Sequence, residues 1–226
     1  MSALPDLNLA EFSAQLERVG GGDLSALAVS ALYAHYRELR RWSPTMALVG
    51  PGFAREIFDR HYGESLAGRA LLPAGPGRLL DLGSGAGFPG FVLAAARPDL
   101  DVTLLEPRER KWAFLAAAAR RAGLGCRVLN ARVSSDPSTL PTEINDLSIV
   151  TVRALRLEPA AWSALGTRLR PGARVLLWSG EEPAELPPPF ERGREVRLAG
   201  ERRFLREAIW NPRTGIEAGG AGKAVR

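Results

Sequence analysis

A carboxylate at Asp81 is followed by glycines at 83, 85, 87 and 90, within the run Leu79-Leu80-Asp81-Leu82-Gly83-Ser84-Gly85-Ala86-Gly87-Phe88-Pro89-Gly90. Glycines so spaced let a chain turn sharply and let a ligand approach the main chain where a side chain would block both. Pro89 suits the first turn of a helix, where its missing N–H is no loss. A second carboxylate, Glu106, closes the next apolar run. There it can accept hydrogen bonds from both hydroxyls of a ribose. By the same geometry, Ala131-Arg132-Val133-Ser134 at the end of the third run should flank a nucleobase. Together these residues describe a site for a nucleoside cofactor.

Two such cofactors compete. Gly85 to Gly90 spells G-x-G-x-x-G, the dinucleotide pattern, so NAD and an oxidoreductase are the alternative. In dinucleotide sites, however, the first glycine directly follows the strand, and the helix N-terminal amides receive a pyrophosphate. Here that first glycine is Gly83, the spacing becomes G-x-G-x-G, and Asp81 stands just before it. An acid at this point repels a pyrophosphate and suits the ammonium and sulfonium of S-adenosylmethionine. Asp81, Gly83, Ser84, Gly85, Gly87 and Glu106 are accordingly the expected cofactor contacts.

The elements that must hold these residues alternate between short apolar runs and helices of ten to fifteen residues, the pattern of parallel β-α-β units. Strands are expected at Arg78–Leu82, Asp101–Glu106, Arg127–Ala131, Leu147–Val152 and Ala173–Trp178, with weaker ones at Glu195–Leu198 and Phe204–Trp210. Helices are expected at Pro89–Arg97, Arg108–Ala122 and Glu158–Leu169, the last closed by Pro171-Gly172. This predicts an α/β, Rossmann-like fold with a mostly parallel seven-stranded sheet flanked by helices. Before it, Leu9, Phe12, Leu16 and Val19 recur at helical spacing behind an Asn8 cap, up to Gly20-Gly21-Gly22. Further helices are expected from Leu24 to Trp42 and from about Gly52 to Leu71. We therefore read residues 1–75 as an N-terminal helical cap, 76–212 as the cofactor domain and 213–226 as a disordered Gly- and Ala-rich tail after the proline-rich loop Pro183–Pro189.

Composition narrows the chemistry. The single Cys126 excludes an internal disulfide, and with only His35 and His61 beside it no metal site is expected. No stretch approaches the ~20 apolar residues of a membrane helix, and residues 1–10 lack a signal-peptide pattern, so a soluble, cytoplasmic protein is expected. A net charge of +5 favours an anionic partner. The basic residues are nearly all Arg, which grips phosphate with two N–H groups and stacks on bases. Arg37, Arg40, Arg41 and Arg55 could form a solvated face or part of an RNA platform.

The run D-L-G-S-G-A-G-F-P-G-F-V-L-A, then R-P-D-L-D-V-T-L-L-E, resembles the glucose-inhibited division protein B family, the bacterial small-subunit ribosomal RNA guanine-N7 methyltransferases. Arg110-Lys111 with Phe114-Leu115, Ala131-Arg132-Val133 and Val152-Arg153-Ala154-Leu155 extend the resemblance from about Leu79 to Gly180. Trp42 and Arg60-His61 to Leu66 look like its N-terminal elements, with Glu64 in place of an Asp. The resemblance implies a class I methyltransferase using S-adenosyl-L-methionine, with cofactor contacts at Gly83, Phe88, Val133, Ser134 and Arg153. It also implies ribosomal RNA or the small ribosomal subunit as partner, and we expect a monomer. A methyltransferase for another acceptor is the remaining alternative within the class.

The acceptor can also be approached by elimination. Enzymes that methylate exocyclic amines commonly carry an acid or amide before Pro-Pro and an aromatic residue after the fourth strand, and Val150 to Arg156 contains none of these. Carbon-5 methylation of a pyrimidine needs a cysteine nucleophile, whereas Cys126 begins the third strand. Guanine N7 has a free lone pair and no proton, so no general base is required. Arg153 is the candidate catalytic residue, able to donate to guanine O6; its bland role is to pair with an acid such as Glu158.

Overall fold

The computed structural model describes residues 4–50, 56–182, 186–199 and 202–212. Its centre is a seven-stranded sheet: β1 (Gly77–Leu82), β2 (Leu100–Leu105), β3 (Arg127–Leu129), β4 (Leu147–Arg153), β5 (Leu169–Ser179), β6 (Phe190–Arg197) and β7 (Phe204–Trp210). The strand order is β3-β2-β1-β4-β5-β7-β6. β1 to β5 run parallel, and β7 is antiparallel to both β5 and β6. The order reverses between β1 and β4, so a crevice opens beyond the carboxyl ends of those strands, where ligands bind in open α/β sheets.

Alternate residues of β1 feed opposite cores, as a pleated strand requires. Leu79 joins Phe12, Tyr36, Tyr62 and Phe91 on one face, whereas Leu80 joins Val150, Trp162 and Leu177 on the other. The first of these cores includes the N-terminal helices α1 (Leu9–Leu16) and α2 (Ala26–Trp42), so the N-terminal segment shares its interior with the sheet. α1 starts at Asn8 through a capping box with Glu11, and Ser25 caps α2.

The expected helix from Gly52 to Leu71 is not one helix. Gly52–Arg55 lie outside the described residues, and the remainder is a π-helical turn (Ile57–Gly63), a short α3 (Glu64–Ala67) and a 3-10 turn (Gly68–Leu71). The breaks coincide with closely packed glycines: a Cβ on Gly63 would lie 3.0 Å from Val19, and one on Gly68 2.8 Å from Trp178. Of the sheet-flanking helices, α4 (Gly90–Ala96) and α5 (Glu109–Ala122) fall within a residue of expectation. α6 (Pro159–Gly166) stops three residues early, because Leu169 is drawn into β5 opposite Leu147, carrying Pro171 and Gly172 with it. β6 is longer than expected, beginning at Phe190 rather than Glu195, and β3 ends at Leu129 rather than Ala131. Arg55, the tail from residue 213 and part of the proline-rich loop lie outside the described residues.

Candidate cofactor and acceptor site

The glycine loop joins β1 to α4. Gly83, Gly85 and Gly87 have φ of 67°, 56° and 93°, left-handed values that a side chain disfavours. Its amides are largely engaged by protein. Gly83 and Ser84 donate to the Leu105 carbonyl at 2.8 and 3.0 Å, and Gly87 donates to Ser84 O at 2.7 Å. Gly85 donates to Glu106 Oε2 at 2.8 Å, while Arg108 N donates to Glu106 Oε1 at 2.9 Å. Glu106 is therefore a buried brace between two loops as well as a candidate ribose acceptor; a carboxylate has about four lone-pair sites, and two are used here.

Asp81 lies behind the loop, 1% exposed. Its Oδ1 accepts from the Thr151 hydroxyl at 2.7 Å, while Oδ2 is buried with no hydrogen-bond partner. The carboxyl packs on the first residue of α4, since a Cβ on Gly90 would sit 2.5 Å from Oδ2. Burial raises its pKa to about 6, partly offset by the Thr151 and Ser84 hydroxyls. The helix N-terminus is thus already faced by a carboxylate, and a pyrophosphate has no place there.

The far wall is less regular. After β3, Val133 is buried, Arg132 is exposed, and the Ser134 hydroxyl accepts from Asp136 N at 3.1 Å in a local turn. Arg153, ending β4, ion-pairs at 2.9 Å with Glu64 of α3, and its Nη2 donates to the Arg60 carbonyl at 2.5 Å. Its acidic partner is therefore Glu64 rather than Glu158. Desolvation, with Arg203 and Arg60 nearby, lowers the Arg153 guanidinium to about 10 against the pull of Glu64. Past it, Ala154 has φ of 54° and Leu155 is 40% exposed, its Cδ2 3.3 Å from where a Gly83 Cβ would be. A cleft of about 730 Å³ opens here, lined by Arg153, Leu155, Trp178, Ser179, Glu182 and Arg203 among others. It adjoins the loop at the carboxyl ends of β4 and β5, where an acceptor would stand.

Several groups escaped the motif search. His35 of α2 is fully buried, with Nε2 2.8 Å from Ala86 O in the loop and Nδ1 2.9 Å from Tyr62 OH. Burial lowers its pKa to about 4, so it is neutral, with Nε2–H donating to the loop and Nδ1 accepting from Tyr62. Its signal in the sequence is its place on an apolar stripe, Leu32-His35-Tyr36-Leu39. His61 stacks on Phe88 of the loop at 4.9 Å. Thr151 carried no signal, because a threonine in a strand is ordinary. Cys126 is half-buried and packs on the core, its thiol pushed up to about 11 by burial, which disqualifies it as a nucleophile. No metal-ligand cluster occurs among the described residues.

Residues 28–186 match the family model for rRNA small subunit methyltransferase G. The chain belongs to that family. It is 39% identical over 137 residues to "Ribosomal RNA small subunit methyltransferase G" of Desulfotalea psychrophila, covering 60% of this chain and 62% of that protein. The namesake from Halorhodospira halophila is 38% identical over 172 residues, covering 73% of this chain and 78% of that one. A SAM dependent methyltransferase from Aquifex aeolicus superposes with a TM-score of 0.52 at 17% identity, over 68% of this chain and 92% of that chain; this likeness shows the fold, a Rossmann-like α/β sheet. No helix among the described residues is long and apolar enough to cross a membrane.

Proposed function

We propose that this chain is an S-adenosylmethionine-dependent methyltransferase acting on N7 of a guanine in small-subunit ribosomal RNA. Family membership supports the acceptor class. The observation that carries the cofactor is the state of the loop: the amides of Gly83, Ser84, Gly85 and Gly87 are taken by protein oxygens, and Asp81 fronts α4. A dinucleotide needs those amides for its pyrophosphate, whereas a cationic nucleoside needs an acid nearby and glycines that let it approach. The buried orphan oxygen of Asp81 and the side-chain-free turn at Gly83 fit that ligand.

When bound, S-adenosylmethionine supplies an electrophilic methyl group on a sulfonium. Asp81, Gly83, Ser84, Gly85, Gly87 and Phe88 would hold its amino-acid half, Glu106 its ribose, and Arg132, Val133 and Ser134 the adenine edge. Arg153, between loop and cleft, would face both cofactor and acceptor, its partnerless Nη1 able to donate to guanine O6. In-line displacement asks chiefly for alignment, and N7 offers a lone pair without a proton to remove. The cleft accordingly needs no base. His61, half-buried and lowered to about 3 by desolvation and by Arg153, Arg203 and Arg60, would be a poor one. Because the N7 edge of A-form RNA lies in a groove too deep and narrow for side chains, the acceptor base must be looped, unpaired or flipped.

The test is transfer of a radiolabelled methyl group to small ribosomal subunits, or their RNA, lacking natural methylation, followed by nucleoside analysis. The expected product is 7-methylguanosine, lost in Arg153→Ala and Gly83→Asp; labelling confined to small metabolites would overturn the RNA assignment.

A further inference from the structure

One buried charge cluster is only half explained by the cofactor loop. Glu64, whose side chain is 1% exposed, holds two guanidinium groups at once: Arg153 at 2.9 Å, and Arg203 through Nη2 to Oε2 at 2.7 Å and Nε to Oε1 at 2.6 Å. Trp178 Nε1 donates to the Glu64 carbonyl at 2.8 Å and fixes that residue from the sheet side. Two cations share one carboxylate, with Arg60 and Asp81 also acting on Arg153, at a site where Arg153 is 11% and Arg203 26% exposed. Charge so poorly solvated is costly unless a partner or a ligand answers it. Arg153 Nη1 is moreover buried without a hydrogen-bond partner. Both arginines line the 730 Å³ cleft, while Glu182 and Arg156 stand exposed at its rim.

We propose that the floor of this cleft is an oxyanion site in which Arg203 takes a phosphodiester of the acceptor RNA strand, with Glu64 as the positioning residue that holds it beside Arg153. The inference rests on the RNA-acceptor reading above. A guanidinium presents paired N–H groups that match two oxygens of one phosphate, a task that a single carboxylate partner leaves partly open. Position separates this anion from the carboxylate of the methyl donor. Arg203 directly precedes β7, and β4 and β5 stand between β7 and β1, so its main chain lies three strand spacings, roughly 14 Å, from the strand that carries the loop, and its guanidinium reaches back only as far as Glu64. That distance places it on the acceptor side of the crevice. Arg203 also lies beyond the stretch that matches the family model.

The test compares wild type with Arg203→Ala and Arg203→Gln, measuring affinity for hypomethylated small-subunit RNA across a salt series, affinity for S-adenosylmethionine, and thermal melting. Alanine leaves Glu64 paired with Arg153, and glutamine restores an N–H donor beside it, so one folded variant suffices. The expected result is RNA affinity lower by about tenfold or more, a log–log salt dependence shallower by about 0.7–0.9, and unchanged affinity for S-adenosylmethionine. Weaker S-adenosylmethionine binding with unchanged RNA affinity would assign the anion to the methionine carboxylate and overturn the proposal; no change in either would overturn it as well. A wild-type protein that labels no RNA would sink the functional reading and this inference together. RNA labelling with unaltered Arg203 variants would sink this inference alone.

Discussion

Replacing Thr151 by Val removes one hydroxyl, preserves volume and suits the strand. That hydroxyl donates to Asp81 Oδ1 at 2.7 Å in a fully buried setting and is the largest of the hydrogen bonds holding the carboxyl charged. A hydrogen bond to a charged group contributes about 1.5–3 kcal/mol. At about 2 kcal/mol, its loss would move the Asp81 titration from about 6 to between about 7 and 8. At pH 7 the carboxyl would then be largely neutral, and a cationic cofactor would lose its counter-charge. Calorimetric titration with S-adenosylmethionine should give a wild-type to Thr151→Val affinity ratio of about three to ten at pH 7, returning towards one by pH 9. Taking the ratio cancels titration of the cofactor itself. Urea unfolding should show the variant about 2 kcal/mol less stable at pH 8 and less than about 1 kcal/mol less stable at pH 5, where Asp81 is protonated in both proteins. A pH-independent affinity ratio, or no loss at all, would refute the role given to the Asp81 charge.

Two further outcomes follow from the buried groups. His35 and His61 are lowered to about 4 and about 3, so their neutral forms favour folding above about pH 6.5 and that stabilisation is lost as pH falls towards 4. Asp81, raised to about 6, acts in the opposite sense, favouring folding below about pH 4 and losing that contribution as pH rises through 6. Denaturation midpoints between pH 4 and 8 should therefore show acid destabilisation that flattens in His35→Gln; an unchanged acid limb would contradict the burial argument. Gly87→Ala would force a side chain onto φ of 93° with its Cβ 2.9 Å from His35 Nε2, the atom that holds Ala86. It should weaken S-adenosylmethionine binding at least tenfold, by about 1.4 kcal/mol or more, and wild-type affinity in titration would disprove the clamp.

Most of the sheet was legible because its parallel strands announce themselves by short apolar runs and each βα turn by its residues, whereas the largely polar β6 begins five residues before expectation. β7 coincides with expectation, β1 begins one residue earlier, and β2 is shifted by one residue at each end. The loop was legible because its glycines are demanded by left-handed backbone that other residues resist. Tertiary contacts decided what local pattern could not. The segment Ile57–Leu71 breaks where Gly63 and Gly68 meet Val19 and Trp178, and α6 ends early because β5 recruits Leu169. The supporting residues of the site stayed hidden for the same reason: Glu64 and Arg203 are 139 positions apart in sequence, and His35 and Ala86 are 51 apart. No local spacing records such pairs. Arg153 was found through the family resemblance at Val152-Arg153-Ala154-Leu155, but its acidic partner comes from α3 and could not be named from the sequence around it.

The most direct measurement of the central claim is a side-by-side calorimetric titration of the purified protein with S-adenosylmethionine and with NAD. Saturable micromolar binding of the methyl donor, abolished in Gly83→Asp, with no heat from NAD, is the expected result. Micromolar NAD binding in the absence of any response to S-adenosylmethionine would contradict the account at its root.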